Sequence, residues 1–461
     1  MQNTPVVISQ LTRMRHFFES GATKHYSFRR QQLKQLKEMV LQNEEAIFNA
    51  LHTDLRKSKE ESYVTENGLV LSELNTALKN LETWMKPETA RTNLVNFPSS
   101  GKIYHDPLGV ALIIGAWNYP LQLVLIPLIS AIAGGNCVVL KPSELAPATA
   151  TLIEKMITDF FPEEYIKVIN GEGETVVPEM MNEFRFDHVF YTGSTGVGKS
   201  IYKMAAEKLI PVTLELGGKS PAIVEEDADI TIAAKRIAVG KFINAGQTCI
   251  APDYVLVHEN VKTKLLQALS DNIKKFWGDN PKQSADYGRI ISQKRFEKIC
   301  SYLSDGEIFT GGEVDHKELF IAPTILVDIP ADAPVLHEEI FGPVLPVISY
   351  ITTREAVNIV KRNDNPLAFY LFTRDSQTEQ FWINTISFGS GCINNTAWQF
   401  TNHYLPFGGI AQSGAGAYHG KYGFLTFTHA KPVMKTPTWF DPAIKYPPLS
   451  GKLKWIKKII G

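Results

Sequence analysis

Two residues of this chain are of types that together perform covalent catalysis. Glu215 ends the apolar run Val212-Thr213-Leu214 and is followed by Leu216-Gly217-Gly218. Cys249 stands thirty-four residues later, closing Asn244-Ala245-Gly246-Gln247-Thr248-Cys249. A carboxylate at a strand end with glycines behind it is free to swing and to activate water. A cysteine in an open, glycine-bounded turn is a thiol kept for chemistry rather than for packing. The pair implies a thiolate that attacks and a carboxylate-activated water that later releases product. Cys137 and Cys300 sit in apolar or helical context and read as packing residues. The four cysteines, with Cys392, have no metal-like spacing and fit free thiols of a reducing cytosol, so no metal is expected.

The elements that must position this pair are alternating strands and helices. With 461 residues the chain is too long for one ordinary core. Residues 8 to about 57 read as helical, with Leu33, Leu36, Val40, Ile47 and Leu51 at helical steps, and a second helical stretch runs from about 60 to 85. Then Val110–Ile114, Cys137–Leu140, Ile166–Ile169 and His188–Tyr191 form continuous apolar runs, the pattern of parallel strands buried on both faces. A second unit follows Gly217, with helices near 229–245, 260–276 and 292–303 between strands near 221–225, 253–258, 323–328 and 344–350. Segments 366–373 and 391–394 read as further strands. This is an α/β architecture with a doubly wound dinucleotide-type sheet.

Six segments in order resemble the motifs of NAD(P)-dependent aldehyde dehydrogenases: Trp117-Asn118-Tyr119-Pro120, Lys141-Pro142-Ser143-Glu144, Tyr191-Thr192-Gly193-Ser194, Leu214-Glu215-Leu216-Gly217-Gly218, Gly246-Gln247-Thr248-Cys249 and Glu339-Ile340-Phe341-Gly342-Pro343. The resemblance runs from about residue 60 to 430. Cys249-Ile250-Ala251-Pro252-Asp253-Tyr254 and Gly416-Ala417-Tyr418-His419-Gly420-Lys421 resemble the class 3, fatty-aldehyde branch. The implied fold is a Rossmann-type cofactor domain over 1–86 and 106–214, an α/β catalytic domain over 215–410, and a small β bridging or oligomerisation element over 87–105 and 411–461.

In the site that this resemblance implies, Cys249 is the nucleophile, Glu215 the general base and Asn118 the oxyanion donor beside the Cys249 backbone N–H. Glu339 and Phe341 fall on the nicotinamide ribose, and Lys141 and Glu144 on the adenosine ribose. Trp117, Gly193, Ser194, Gly198, Leu216 and Gly217 complete the cofactor site. A Glu at 144 repels a 2′-phosphate and favours NAD, whereas the class 3 branch also takes NADP, so both remain open. Tyr119 and Trp398, with Trp117, Phe400 and Tyr404, supply an aromatic tunnel for medium or long aliphatic, or aromatic, aldehydes. The late glycine-rich loop Leu405–Gly414 departs from the family at Ala411, where a glycine is usual.

Gly193-Ser194-Thr195-Gly196-Val197-Gly198-Lys199-Ser200 also satisfies the P-loop pattern letter for letter, after a strand and before a helix beginning near Ile201. A P-loop NTPase would place Lys199 and Ser200 on phosphates and Mg²⁺, with Asp328 on the metal-binding strand. The competing reading is a glycine turn cupping a dinucleotide pyrophosphate at a helix N-terminus. The other motifs have no place in an NTPase and favour the dehydrogenase.

A net charge of −1 gives no electrostatic case for nucleic acid. Met1 to Pro5 carry no secretory signature, and the longest apolar tract, Leu121 to Ala133, is too short to cross a bilayer, which takes about 20 residues. It reads as a buried helix. The basic, amphipathic tail sets Leu453, Trp455, Ile456, Ile459 and Ile460 against Lys454, Lys457 and Lys458, a pattern for weak contact with an anionic membrane surface. The expected protein is therefore cytoplasmic, peripheral at most to the inner face of a membrane, and a homodimer that acts on a small-molecule aldehyde.

Overall fold

A computed structural model of the chain describes residues 4–363 and 365–460. The reading of the extreme N-terminus as free of a leader falls mainly on Met1 to Asn3, outside those residues. Helices Thr4–Glu19, Tyr26–Gln42, Glu44–Leu55 and Gly68–Met85 come first, and the apolar steps Leu33, Leu36, Val40, Ile47 and Leu51 all point inward. Each such fully buried side chain contributes about 1.5–3 kcal/mol of burial.

The first sheet has six strands in the order Gly414–Ala415, Val212–Glu215, His188–Thr192, Val110–Ile114, Cys137–Lys141, Ile166–Val168. All neighbours are parallel except the short Gly414–Ala415, which pairs antiparallel with Leu214 and Glu215. The chain builds outward from Val110–Ile114 in one direction, then returns and builds outward in the other. Beside that central strand the order reverses, and a crevice opens at the carboxyl ends, where such sheets bind ligands. The helix Gln122–Gly134, buried along its whole length, is the crossover from Val110–Ile114 to Cys137–Lys141. It stops because Gly135 takes a left-handed φ of 88° and turns its N–H back to Ile132 O.

The second sheet has seven strands in the order Glu307–Thr310, Thr324–Val327, Val344–Tyr350, Tyr254–His258, Pro221–Val224, Ala368–Phe372, Ser390–Ile393, parallel apart from the first. A three-stranded antiparallel sheet pairs Ser100–Pro107 with Glu88–Ala90 on one side and Thr428–Lys435 on the other. Between residues 411 and 427 the chain returns to the first sheet, adding Gly414–Ala415 to its edge and the helix Gly420–Thr426 against Gln122–Gly134.

One local reading changes. The helix expected from about Ile201 begins at Thr195, because the Ser194 hydroxyl caps it by accepting the Val197 N–H. Gly196, Gly198, Lys199 and Ser200 are therefore wound into the first turns of a helix instead of forming a phosphate-wrapping loop. Lys199 is exposed, and Ser200 Oγ is spent on Gly196 O.

Candidate active site

Glu215 is the last residue of its strand, and its backbone is tightly held. Its carbonyl accepts from Gly193 N at 3.0 Å, while the next residue, Leu216, donates to Ser413 O at 3.1 Å. Its side chain is buried, yet neither carboxylate oxygen has a partner among the described residues. Burial alone pushes that carboxyl well above the usual carboxylate range. The backbone is thus fixed, while the carboxyl at its end is held by no hydrogen bond from the described residues.

Cys249 is reached through a strained turn. Asn244, Ala245 and Gly246 take left-handed φ values of 54°, 51° and 75° in succession, a conformation that only glycine adopts without cost. At Gly246 a Cβ would lie 2.3 Å from Gly342 O, so the glycine also lets this turn close against the loop carrying Glu339. Buried partners hold the strain. Asn244 N donates to Glu61 Oε1 at 2.7 Å, and Gln247 spans from Asn244 O and Arg289 O to Ile291 N. Burial, then the charges of Glu339 and Glu215, push the Cys249 thiol up to about 12.

Asn118 lies beside this turn, buried, its amide donating to Gln247 O at 3.1 Å. That leaves one amide proton for a substrate oxygen. Its carbonyl accepts from Asn244 Nδ2 at 2.8 Å and from Lys57 Nζ at 3.2 Å. Lys57 is fully buried in an ion pair with Glu66 at 2.8 Å, and Glu66 Oε2 in turn accepts from Leu121 N and Gln122 N. A charged network drawn from residues 57–66 thus fixes both the amide and the turn that carries the thiol.

Two cavities meet at Cys249, which alone among the described residues lines both. The first, of about 760 Å³, is walled by apolar side chains that include Val64, Leu123, Val239, Phe400, Phe407 and Tyr418. Tyr119 and Trp398 line it as expected, and Tyr119 Oη is 2.5 Å from Thr248 Oγ1. Tyr404 lies outside it and is exposed. The second, of about 710 Å³, is polar and is lined by Trp117, Asn118, Gly193, Ser194, Glu215, Leu216, Gly217, Glu339 and Phe341. It opens at the carboxyl ends of Val110–Ile114 and His188–Thr192, the place where the strand order reverses.

The residues of this second cavity fit a nicotinamide dinucleotide. The unpaired Glu215 carboxylate and the unpaired Nε of Arg295 are buried polar atoms without protein partners. At Gly217 a Cβ would sit 2.1 Å from Glu339 Oε2, so glycine there allows the Glu339 carboxylate to turn into the cavity. Burial and Asp253 raise Glu339 to about 7. Phe341 packs edge-on to Trp117 at 5.2 Å. Lys141 and Glu144 pair with each other at 2.6 Å, away from both cavities, with Glu144 Oε1 also accepting from Gly173 N at 3.3 Å. Gly198 packs its helix onto Leu216, where a Cβ would strike at 2.7 Å, and does not line the cavity.

Residues 8–433 match the model of the aldehyde dehydrogenase family. The chain belongs to that family. It oxidises aldehydes to carboxylic acids and uses NAD or NADP. It is 46% identical over 443 residues to the 4,4'-diaponeurosporen-aldehyde dehydrogenase of Staphylococcus aureus (strain NCTC 8325 / PS 47), covering 96% of each chain. To the rat (Rattus norvegicus) protein named aldehyde dehydrogenase, dimeric NADP-preferring, it is 41% identical, covering 96% of this chain and 97% of that protein. A solved structure of Staphylococcus aureus AldH in a substrate-bound state superposes with a TM-score of 0.95 at 44% identity, covering 99% of both chains.

Among aldehyde dehydrogenase residues that sequence reasoning missed, Arg295 stands out. It lines the polar cavity, donates to Ile340 O at 2.9 Å and lies over the Phe341 ring at 6.0 Å. Nothing distinguishes it in sequence from the other basic residues of its helix, Gln293–Ser301. Lys57, Glu61 and Glu66 were missed for a similar reason, since charges in a helical stretch ordinarily face solvent. Phe407 and Tyr418 were within reach, since Phe407 lies in the late glycine-rich loop Leu405–Gly414 and Tyr418 in the motif Gly416–Lys421.

Proposed function

We propose that Cys249, Glu215 and Asn118 carry the oxidation, with the aldehyde held in the apolar cavity and NAD or NADP in the polar one. The observation that carries this assignment is that Cys249, alone among the described residues, borders both cavities. The thiolate of Cys249 adds to the aldehyde carbonyl, and the free amide proton of Asn118 and the Cys249 backbone N–H hold the resulting oxyanion. NAD or NADP, when bound, supplies the hydride acceptor. Glu339 and Phe341 position the nicotinamide ribose, and Lys141 and Glu144 the adenosine ribose. Glu215 then takes a proton from the water that attacks the thioester, releasing the carboxylic acid and the Cys249 thiolate.

The apolar lining supports medium to long aliphatic, or aromatic, aldehydes as substrates. The division into a cofactor domain, a catalytic domain and a bridging element is supported by the six-, seven- and three-stranded sheets, with Gly414–Ala415 of the C-terminal segment joining the first. A homodimer is supported by the exposed edge strand Thr428–Lys435 and by the dimeric rat relative. A monomeric mass by light scattering at micromolar concentration would count against it.

No helix among the described residues is long and apolar enough to cross a membrane. The terminal helix Leu453–Ile460 leaves Leu453, Trp455 and Ile460 exposed above Lys454, Lys457 and Lys458, which supports weak contact with an anionic membrane from a cytoplasmic location. Co-flotation with anionic vesicles that survives removal of residues 450–461 would sink that part.

Stopped-flow NADH fluorescence with a medium-chain aldehyde tests the chemistry. Wild type turns over, Cys249→Ala forms no NADH, and Glu215→Gln stalls after at most one burst. Steady turnover by Cys249→Ala would overturn the assignment.

A further inference from the structure

One buried charged cluster is used by none of these steps. Glu73, on the helix Gly68–Met85, is almost fully buried, yet it touches neither cavity. Its Oε2 faces two imidazoles, with His403 Nδ1 at 2.7 Å and His419 Nδ1 at 3.3 Å, while its Oε1 accepts the Gly420 N–H at 2.7 Å. His403 is held in turn through Nε2, 2.8 Å from Ser72 Oγ. Burial raises the Glu73 carboxyl, but the hydrogen bonds from His403 and His419 outweigh it and bring the group down to about 2. The cluster is therefore anionic at its centre and fully partnered.

What the cluster holds is the wall of the aldehyde cavity. His419 has a left-handed φ of 74°, costly for a residue with a Cβ, and Gly420 follows at 52° with its Cβ position only 2.1 Å from His403 O. Tyr418 stacks on the His419 ring at 4.2 Å, and Phe407 meets it edge-on at 5.7 Å. Phe407 and Tyr418 are also bonded to each other through both backbone pairs, at 3.1 and 2.8 Å. Both rings line the apolar cavity. Glu73 projects from the regular helix Gly68–Met85, whereas the segment from 403 to 420 is mostly irregular apart from the single turn Ala411–Ser413, the short strand Gly414–Ala415 and the Phe407–Tyr418 pair. The strained residues His419 and Gly420 lie outside both the Gly414–Ala415 strand and the Phe407–Tyr418 pair, and it is Glu73 that reaches them from the helix.

We propose that Glu73 is a positioning residue for aldehyde binding: by fixing His403, His419 and Gly420 it sets the Phe407–Tyr418 wall and so the affinity for apolar aldehydes. The proposal rests on the assignment of the apolar cavity to the aldehyde.

The test measures KM for a long-chain aldehyde, KM for NAD and kcat in four forms: wild type, Glu73→Gln, His403→Gln and Phe400→Ser. Losing hydrogen bonds to a buried charge makes Glu73→Gln raise aldehyde KM by about tenfold or more, with kcat and KM for NAD within about threefold of wild type. His403→Gln keeps the Glu73–His419 contact and gives a smaller rise of the same kind, which serves if Glu73→Gln does not fold. Unchanged aldehyde KM in the folded Glu73 variant, or in His403→Gln where Glu73→Gln fails to fold, overturns the clamp. If Phe400→Ser raises aldehyde KM in that case, only the clamp has failed. Should Phe400→Ser leave aldehyde KM unmoved as well, the cavity assignment has failed with it. The three ligand atoms also lie within 4.8 Å of one another, close enough to hold a divalent ion. Stoichiometric Zn²⁺ in the purified enzyme, lost in Glu73→Gln, would replace the hydrogen-bonded clamp with a metal site and overturn the proposal as stated.

Discussion

The two sides of Cys249 are built on opposite principles. Toward the cofactor, buried polar atoms are left without partners: both oxygens of Glu215 and the Nε of Arg295. On the apolar side the wall is hydrophobic, and a buried charge that supports it, Glu73, has partners on both oxygens. An unpaired buried polar group costs about 1–3 kcal/mol, so the polar side gives up stability to keep its groups free for reaction. The aldehyde side gives up nothing comparable, since it only has to recognise shape and apolar area. Substitutions on the two sides should therefore fail in different ways, one in rate and the other in discrimination.

The largest expected effect is at Glu215. Glu215→Gln should lower steady turnover by about 10²–10⁴-fold, with KM for the aldehyde little changed. The same variant should be the more stable protein. A carboxyl whose folded value lies above its ordinary 4.5 holds a proton that the unfolded chain releases, so wild-type stability is lost as pH rises through and above that ordinary value. Glutamine has no such loss. Thermal melts should give Glu215→Gln the higher Tm, by a margin that widens from pH 5 to pH 9. A margin that shrinks over that range would show that Glu215 is paired in the resting enzyme.

Asn118→Ala should cost about 10²–10³ in kcat. It should leave the preference between long and short aldehydes untouched, because Asn118 faces the polar cavity. Phe400→Ser is the counterpart across the thiol. Each methylene in an apolar pocket is worth about 1–3 kcal/mol of discrimination, so this variant should flatten the rise of kcat/KM with chain length while sparing kcat. If Asn118→Ala flattens that slope instead, the two cavities have been assigned the wrong way round.

Most of the fold was legible because its strands are continuous apolar runs, and Val110–Ile114 through Val344–Tyr350 appear within a residue or two of where the pattern puts them. The helix after Gly193 begins earlier than the P-loop spelling suggests because a stronger local signal prevails, a serine able to cap Thr195–Glu207. On the polar side the residue types announce themselves, since Cys249, Glu215 and Asn118 sit between glycines or in turns. Their supports do not. Lys57, Glu61 and Glu66 look in sequence like the solvated face of a helix, and Glu73 looks like one more surface carboxylate. What makes each of them important is a partner between 55 and 347 positions away, such as Leu121 for Glu66 or Gly420 for Glu73, and only packing reveals such pairs.

The smallest effect concerns Ala411, at the edge of the turn that returns the chain to Glu215. Its φ is 53°, so the loop keeps a left-handed shape there without the glycine usual in the family. A left-handed residue with a Cβ costs about 1–2 kcal/mol. Glycine would remove that strain but would also loosen the unfolded chain, which takes back about 0.4–1 kcal/mol. Relief of the strain outweighs that loss, so Ala411→Gly should stabilise the enzyme by about 0.5–1 kcal/mol in denaturant melts. Because Leu216 N bonds to Ser413 O just beyond this turn, the substitution also asks whether strain at 411 helps to aim Glu215. Unchanged turnover with higher stability makes Ala411 a neutral departure from the family. Higher stability with slower deacylation would place the strained turn on the polar side of the comparison, as part of what keeps Glu215 free.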